Sequence, residues 1–99
     1  MAGEDTVTLG SSIELSGFKD VDGATMIVVK KMVGSYVKNI SEKAKKFKKI
    51  NISLDTKDDS NFQLKVTLVD GSKEIHAEDS SNNLFFGLDK VLKKAELEI

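Results

Sequence analysis

The chain has 99 residues, of which 39% are hydrophobic and 31% are charged, a length and composition typical of one folded domain with a single core. It contains no cysteine, which excludes disulfides, thiolate nucleophiles and zinc–thiolate sites. The apolar run at residues 26–29 is too short to span a membrane, and the N-terminus lacks the order of a secretion signal, so we expect a soluble, cytoplasmic protein.

The formal net charge of −1 conceals an uneven distribution of charge along the chain. Residues 30–49, which we call the basic segment, carry eight lysines and one glutamate, whereas residues 1–29 and 50–79 are acidic. A net charge near zero argues against indiscriminate binding of polyanions, but the basic segment permits binding at one place on the surface.

The N-terminal part of the chain predicts a tail followed by a short strand. Residues 1–11 show little pattern beyond the alternation of Val7 and Leu9, and we expect a flexible tail ahead of a single domain at residues 12–99. Ile13 and Leu15 then alternate with polar residues, which predicts a strand that ends at Gly17.

Apolar residues recur at steps of three and four between residues 24 and 47, which predicts an amphipathic helix. The stripe consists of Met26, Val29, Val33, Val37, Ile40, Ala44 and Phe47. Asp20 or Asp22 can cap this helix by accepting a free backbone N–H. The β-branched run TMIVV leaves an alternative open, in which Asp22-Gly23 is a hairpin turn and residues 24–30 form a strand.

Three further strands and a second helix are predicted from the rest of the chain. Apolar residues at 50–54, 62–68 and 75–77 alternate strictly with polar ones, and Asp70-Gly71 provides a tight hairpin turn between the last two strands. The second helix is predicted to begin after a cap at Ser80 or Ser81. Its apolar stripe consists of Leu84, Leu88, Val91, Leu92, Ala95 and Ile99.

The predicted order is therefore β-α-β-β-β-α, an α+β fold. Each strand has one apolar and one polar face, as in a mostly antiparallel four-stranded sheet that is wet on one side. The two helices pack their apolar stripes on the apolar face of this sheet, which gives a two-layer sandwich.

The sequence shows no constellation of residues typical of an enzyme. His76 alternates onto the polar face of its strand beside Glu74 and Glu78, where an exposed histidine is favoured over a general base. The acidic residues around the KDDSN turn do not match a calcium-binding loop. We predict a protein without catalytic activity, metal or cofactor.

The basic segment is the feature that points to a function. Lys31, Lys38 and Lys45 lie seven residues apart, on one outer face of the predicted helix, and Lys46 completes this part of the candidate site. The lysines form either a solvated face or a binding surface for a polyanion. The low number of acidic residues supports the polyanion, because Glu42 is the one acidic residue of the basic segment. A helix face that serves only solubility normally carries glutamates four residues away from its lysines.

The absence of arginine indicates how such a polyanion would be bound. Lysine binds phosphates as a point charge, whereas the planar guanidinium of arginine donates two hydrogen bonds to base edges. Contacts with the phosphates of a nucleic-acid backbone are therefore predicted. The polar sheet face lacks aromatic residues, which excludes base stacking on the sheet.

Two segments resemble the hibernation-promoting factor and ribosome-associated inhibitor family. They are EIHA at residues 74–77 and, after a polar turn, NLFFGLDKVLKKAE at residues 83–96; the junction KKFKKINISLD at residues 45–55 is also similar. The positions of the last helix that match are Leu84, Phe85, Gly87, Leu88, Asp89, Val91, Leu92 and Lys94. The predicted element order is that of the family, and it resembles the double-stranded-RNA-binding fold.

The resemblance implies a small cytoplasmic protein that docks on the small ribosomal subunit. It implies contact with ribosomal RNA through basic helix faces in the channel used by tRNA and mRNA, which silences idle ribosomes. Carried over to this chain, it implies that Lys90, Lys93 and Lys94 contact the RNA.

Other partners stay open at this point. The lysines can instead meet an acidic protein, including the acidic hairpins of a second copy, so that the chain is a monomer or weak homodimer that acts as an interaction module. A membrane partner is not expected, because the sheet already covers the apolar stripe that a lipid surface would need.

Overall fold

The computed structural model describes residues 6–10, 12–58 and 61–99. Its strands are β1 (Thr6–Leu9), β2 (Ile13–Ser16), β3 (Phe47–Asp58), β4 (Asn61–Asp70) and β5 (Lys73–Ser81). Its helices are α1 (Gly23–Lys43), between β2 and β3, and α2 (Leu84–Leu97), after β5. The predicted α+β class with two helices is confirmed.

Among the described residues the sheet has five strands, in the order β1-β2-β3-β4-β5, one more than predicted. Strands β2 and β3 are parallel, because α1 crosses between them, and the other neighbours are antiparallel. The additional strand β1 comes from the segment predicted as a tail: Val7 and Leu9 pair with Leu15 and Ile13. Residues 1–5 and 11 of that predicted tail lie outside the described part of the chain.

Helix α1 begins where the sequence predicts and ends earlier. The Asp22 carboxylate accepts a hydrogen bond from the Thr25 N–H at 3.2 Å, so residue 22 caps a helix and the hairpin alternative is wrong. Ala44 turns to an extended conformation, although its N–H still bonds to the Ile40 carbonyl. The predicted extension to Phe47 is wrong, because Phe47 is the first residue of β3.

Both helices pack their apolar stripes on one face of the sheet, as predicted for a two-layer sandwich. Val29, Val33, Val37 and Ile40 are the buried residues of α1. The buried apolar residues of α2 include Leu84, Leu88, Val91, Leu92 and Ala95. Facing them from the sheet are Leu15, Ile50, Ile52, Leu54, Leu64, Val66, Leu68 and Ile75. Across the described residues, no polar or charged side chain is buried in this core.

Helix α2 has a different cap from the predicted one. Ser80 and Ser81 are the last residues of β5, and the Asn83 side chain accepts the Phe86 N–H at 3.0 Å. The prediction of a serine cap is wrong because pairing with β4 continues as far as Ser81. Gly87 lies in the first turn of α2, close against Leu64 and Ser81, so the helix rests directly on the sheet there.

Candidate nucleic-acid interface

Two of the predicted site residues lie on the outer face of α1. Lys31 and Lys38 are both exposed, and the helical period places them roughly half a turn away from the buried stripe that contains Val33 and Val37. Within residues 6–10, 12–58 and 61–99, neither ammonium group has a carboxylate partner at ion-pair distance. These two charges therefore face solvent.

Lys45 and Lys46 lie beyond the end of α1, in the turn that leads into β3. The expectation that Lys45 continues the helical face of Lys31 and Lys38 is wrong, since the helix ends at Lys43. The turn is fixed to the β4–β5 hairpin by two hydrogen bonds. The Lys46 N–H donates to Asp70 Oδ1 at 3.1 Å, and the Gly71 N–H donates to the Lys46 carbonyl at 2.7 Å.

A β-bulge at the start of β3 keeps two more lysines in solvent. Phe47 pairs with Asp70 and Lys49 pairs with Val69, so Lys48 is an extra residue between them. Strict alternation from the buried Ile50 would point residue 48 at the core. The bulge instead leaves Lys48 and Lys49 exposed while Phe47 packs against the core.

We call Lys45, Lys46, Lys48 and Lys49 the lysine junction. The topology places it at the end of the sandwich where α1 and α2 finish and the β4–β5 hairpin turns. The partial negative charge at the C-terminus of α1 favours cations there. Two neighbouring lysines are tied to α2: Lys43 Nζ lies 3.8 Å from the Glu96 carboxylate, and Lys73 Nζ donates to the Glu98 carbonyl at 3.1 Å.

The lysines of α2 divide into two groups. Lys90 Nζ lies 3.6 Å from Asp79 Oδ1, and Lys94 Nζ lies 3.2 Å from Asp79 Oδ2. Lys94 also donates to the Glu78 carbonyl at 3.2 Å, on β5. Lys93 is exposed, and no carboxylate of the described residues pairs with it. The structure therefore separates Lys93 from two neighbours that are already engaged.

Asp79 is a site residue that the sequence analysis missed. Its position in β5 places it on the helix-facing side of the sheet, with only 14% of its side chain exposed. Burial raises the pKa of its carboxyl group, but the Ser80 N–H and the charges of Lys94 and Lys90 outweigh this and the net pKa is lowered. The alternation of β5 was a partial signal, since it points residue 79 to the helix-facing side of the sheet but does not place α2 above it.

The polar face of the sheet is a network of side chains bonded to one another. Asn51 donates to Glu14 and to Ser16 at 3.3 Å, and His76 Nε2 lies 2.8 Å from Glu74 Oε1. The His76 side chain is 64% exposed on its strand, as the alternation predicts. These polar groups are thus already engaged with one another.

Within residues 6–10, 12–58 and 61–99, no cluster of three or more histidine, aspartate or glutamate side chains is arranged to hold a metal ion. Neither α1 nor α2 is long and apolar enough to cross a membrane. A scan of protein families finds no matching family model, and a search of curated proteins finds no match.

The structure thus regroups the seven predicted site residues. Lys31 and Lys38 share the outer face of α1, Lys45 and Lys46 belong to the lysine junction, and Lys93 stands exposed on α2. Two residues of the junction, Lys48 and Lys49, were outside the predicted set. The signal for them was the run KKFKK, whose lysines flank a single apolar residue.

Proposed function

We propose that the protein is a non-enzymatic RNA-binding protein that contacts ribosomal RNA on the small subunit and silences translation by occluding the channel of tRNA and mRNA. The observation that carries the proposal is the lysine junction, where four lysines project from one rigid corner of the fold. Lys31, Lys38 and Lys93 extend this charge over the helix layer.

Electrostatics supports a polyanion as the partner. Four ammonium groups within five residues repel one another, and among the described residues no carboxylate lies at ion-pair distance from them. The Asp70 carboxylate bonds to the Lys46 backbone instead. Phosphates relieve such repulsion and release condensed counterions on binding. Because the junction is held by hydrogen bonds to the hairpin, little ordering of the backbone opposes binding.

The basic residues of the site are all lysines, which supports recognition of the RNA backbone rather than of the base sequence. Lysine makes point contacts with phosphate oxygens and lacks the planar fork that reads guanine. Double-stranded RNA is read mostly through its shape and its phosphates, and that mode requires only charges in a fixed arrangement. A structured ribosomal RNA surface is a partner of this kind.

The structure changes which residues of α2 are proposed to take part. Lys93 is proposed as a direct contact. Lys90 and Lys94 are proposed to hold α2 on the sheet through Asp79 in the free protein, and to reach RNA only where a phosphate competes with that carboxylate.

Co-sedimentation with ribosomal particles tests the proposal. In sucrose gradients of stationary-phase cells, we expect the wild-type protein to travel with the small subunit or with whole ribosomes. The double variant K48E/K49E should stay at the top of the gradient, since it reverses two charges of the lysine junction. The control K19E/K65E makes the same change of charge away from the junction and should sediment like wild type. A wild-type protein found only at the top of the gradient would contradict the proposal.

A further inference from the structure

Most exposed large apolar side chains of the described residues lie near the helix N-termini. The large hydrophobic residues that are exposed are Ile27, Val28, Phe85, Phe86 and Leu97. All except Leu97 lie in the first two turns of α1 or α2. Both helices run in the same direction, so these four residues lie away from the lysine junction.

A stagger between the helices explains why this end is open. The Tyr36 hydroxyl donates to the Asp89 carboxylate and Lys43 pairs with Glu96, and in both contacts the partners are 53 residues apart. The counterpart of Gly23, where α1 begins, would be residue 76, but α2 begins only at Leu84. Helix α1 therefore extends beyond α2 by about 12 Å, at the usual rise of about 1.5 Å per residue.

The stagger leaves a groove of about 660 Å³ beside the first turns of α1. Its floor is the part of β3 and β4 that α2 does not cover, where Leu54 and Phe62 lie, and Phe85 forms one wall. A groove of this size accommodates one or two apolar side chains of a partner. Phe85, which forms this wall, is 37% exposed, so an aromatic ring borders the groove at its open side.

The charges around the groove are negative. Asp20 and Asp22 line it, and no lysine is among its described lining residues. Thr25 donates hydrogen bonds to the Asp22 carboxylate, which lower its pKa and keep it ionised. A cationic, partly apolar partner complements these features, whereas the phosphates of RNA do not.

We infer that the groove binds a basic amphipathic segment of another protein, with apolar side chains of that segment against Leu54, Phe62 and Phe85 and its lysines or arginines beside Asp20 and Asp22. This surface is independent of the RNA surface proposed above. The molecule would then carry an RNA-binding corner at one end and a protein-binding groove at the other.

A synthetic peptide probes this inference directly. The probe is an amphipathic helix made only of leucine and lysine, with leucines at i, i+3, i+4 and i+7. One control peptide replaces every lysine by glutamate, and another replaces every leucine by serine. Amide chemical shifts of the isotope-labelled protein are followed during titration. We expect the leucine–lysine peptide to shift residues 20–28 and 82–86, and we expect both control peptides to shift none of them.

Matched variants connect the binding to the groove. Asp20 lines the groove and Glu42 lies near the far end of α1, and both are exposed, so a lysine at either position leaves the core intact. The variant D20K should bind the leucine–lysine peptide at least tenfold more weakly than wild type, because it reverses a charge of the groove. The variant E42K makes the same change of charge away from the groove and should bind the peptide like wild type.

The inference is overturned if the leucine–lysine peptide shifts only the lysine junction or no residues at all, if the glutamate peptide binds equally well, or if E42K weakens binding as much as D20K. It is also overturned if sedimentation shows that the protein alone self-associates and that D20K abolishes this, because the occupant is then a second copy. These outcomes leave the RNA proposal untouched, since K48E/K49E tests a different surface.

Discussion

The Tyr36 hydroxyl donates a hydrogen bond to the Asp89 carboxylate and thereby joins α1 to α2 midway along the helix layer. Desolvation raises the pKa of Tyr36, and the hydrogen bond and charge of Asp89 raise it further, to about 12. Tyr36 is the only tyrosine of the chain, so its ionisation can be observed without interference.

We predict that absorbance of the tyrosinate form titrates with a midpoint near 12 in the folded protein, against the ordinary 10.0. The folded state holds the proton more tightly than the unfolded state does, so the stability that this group contributes is fully present below pH 10 and is lost as the pH rises toward 12. The unfolding free energy of the variant Y36F should therefore fall less steeply than that of wild type as the pH rises from 10 to 12. A midpoint near 10 in the folded protein would contradict the helix–helix contact.

Asp79 leads to a prediction about the stability of the protein and its dependence on pH. The variant D79N keeps the shape of the side chain and the acceptor for the Ser80 N–H, but it loses the charge that holds Lys90 and Lys94. Since both ammonium groups are about half exposed, we expect a loss of about 1–2 kcal/mol of unfolding free energy at neutral pH.

The pH dependence of D79N follows from the lowered pKa of Asp79. The stabilisation is present above the ordinary pKa of 3.8 and is lost as the pH falls through the lower pKa of the folded state. Urea denaturation at a series of pH values should therefore show wild type and D79N converging below pH 4. A constant difference between the two down to pH 2 would exclude the ion pairs as its cause.

Two glycines should respond oppositely to the same substitution. Gly17 has a φ of +82°, and a Cβ there would lie 2.1 Å from the Leu54 carbonyl oxygen, so G17A should lose about 3 kcal/mol or more of stability. Gly34 is in mid-helix with open space around its Cβ position, so G34A should gain about 1 kcal/mol. Thermal unfolding measures both. Equal effects of the two substitutions would show that the β2–β3 approach at Gly17 is not as close as described.

The sequence predicts the parts of this fold that repeat a pattern. The apolar stripe of α1 is a helix-period signal over several turns, and the alternation of Phe62, Leu64, Val66 and Leu68 is a strand-period signal. Asp70-Gly71 predicts its turn because the structure needs the positive φ of +63° at Gly71. Each of these assignments depends on local chemistry alone.

The errors occur where contacts distant in sequence decide the structure. Residues 6–9 are a strand only because β2 offers a free edge to pair with, and four residues carry too little periodicity to show it. Lys45 leaves the helix because Lys46 is bonded to the hairpin at Asp70 and Gly71, 24 or more residues away. The role of Asp79 depends on α2 lying above β5, which no local pattern contains.

The candidate site shows the same division. The sequence predicts that basic residues matter and places Lys31 and Lys38 on one exposed face. It does not predict that a β-bulge turns Lys48 outward, because a bulge depends on the register with β4. Nor does it distinguish Lys93 from Lys90 and Lys94, since that difference arises from the position of Asp79.

The salt dependence of RNA binding tests the central claim most directly. For a double-stranded RNA hairpin, we predict that log K falls with log salt with a slope of about −3 to −5, as expected if roughly five lysines neutralise phosphates. The variant K48Q/K49Q should have a slope shallower by roughly 1.5–2, because it removes two phosphate contacts. The control K19Q/K65Q should keep the wild-type slope. Binding that is independent of salt, or equal changes of slope in the two double variants, would contradict the assignment of the lysine junction as the RNA-binding surface.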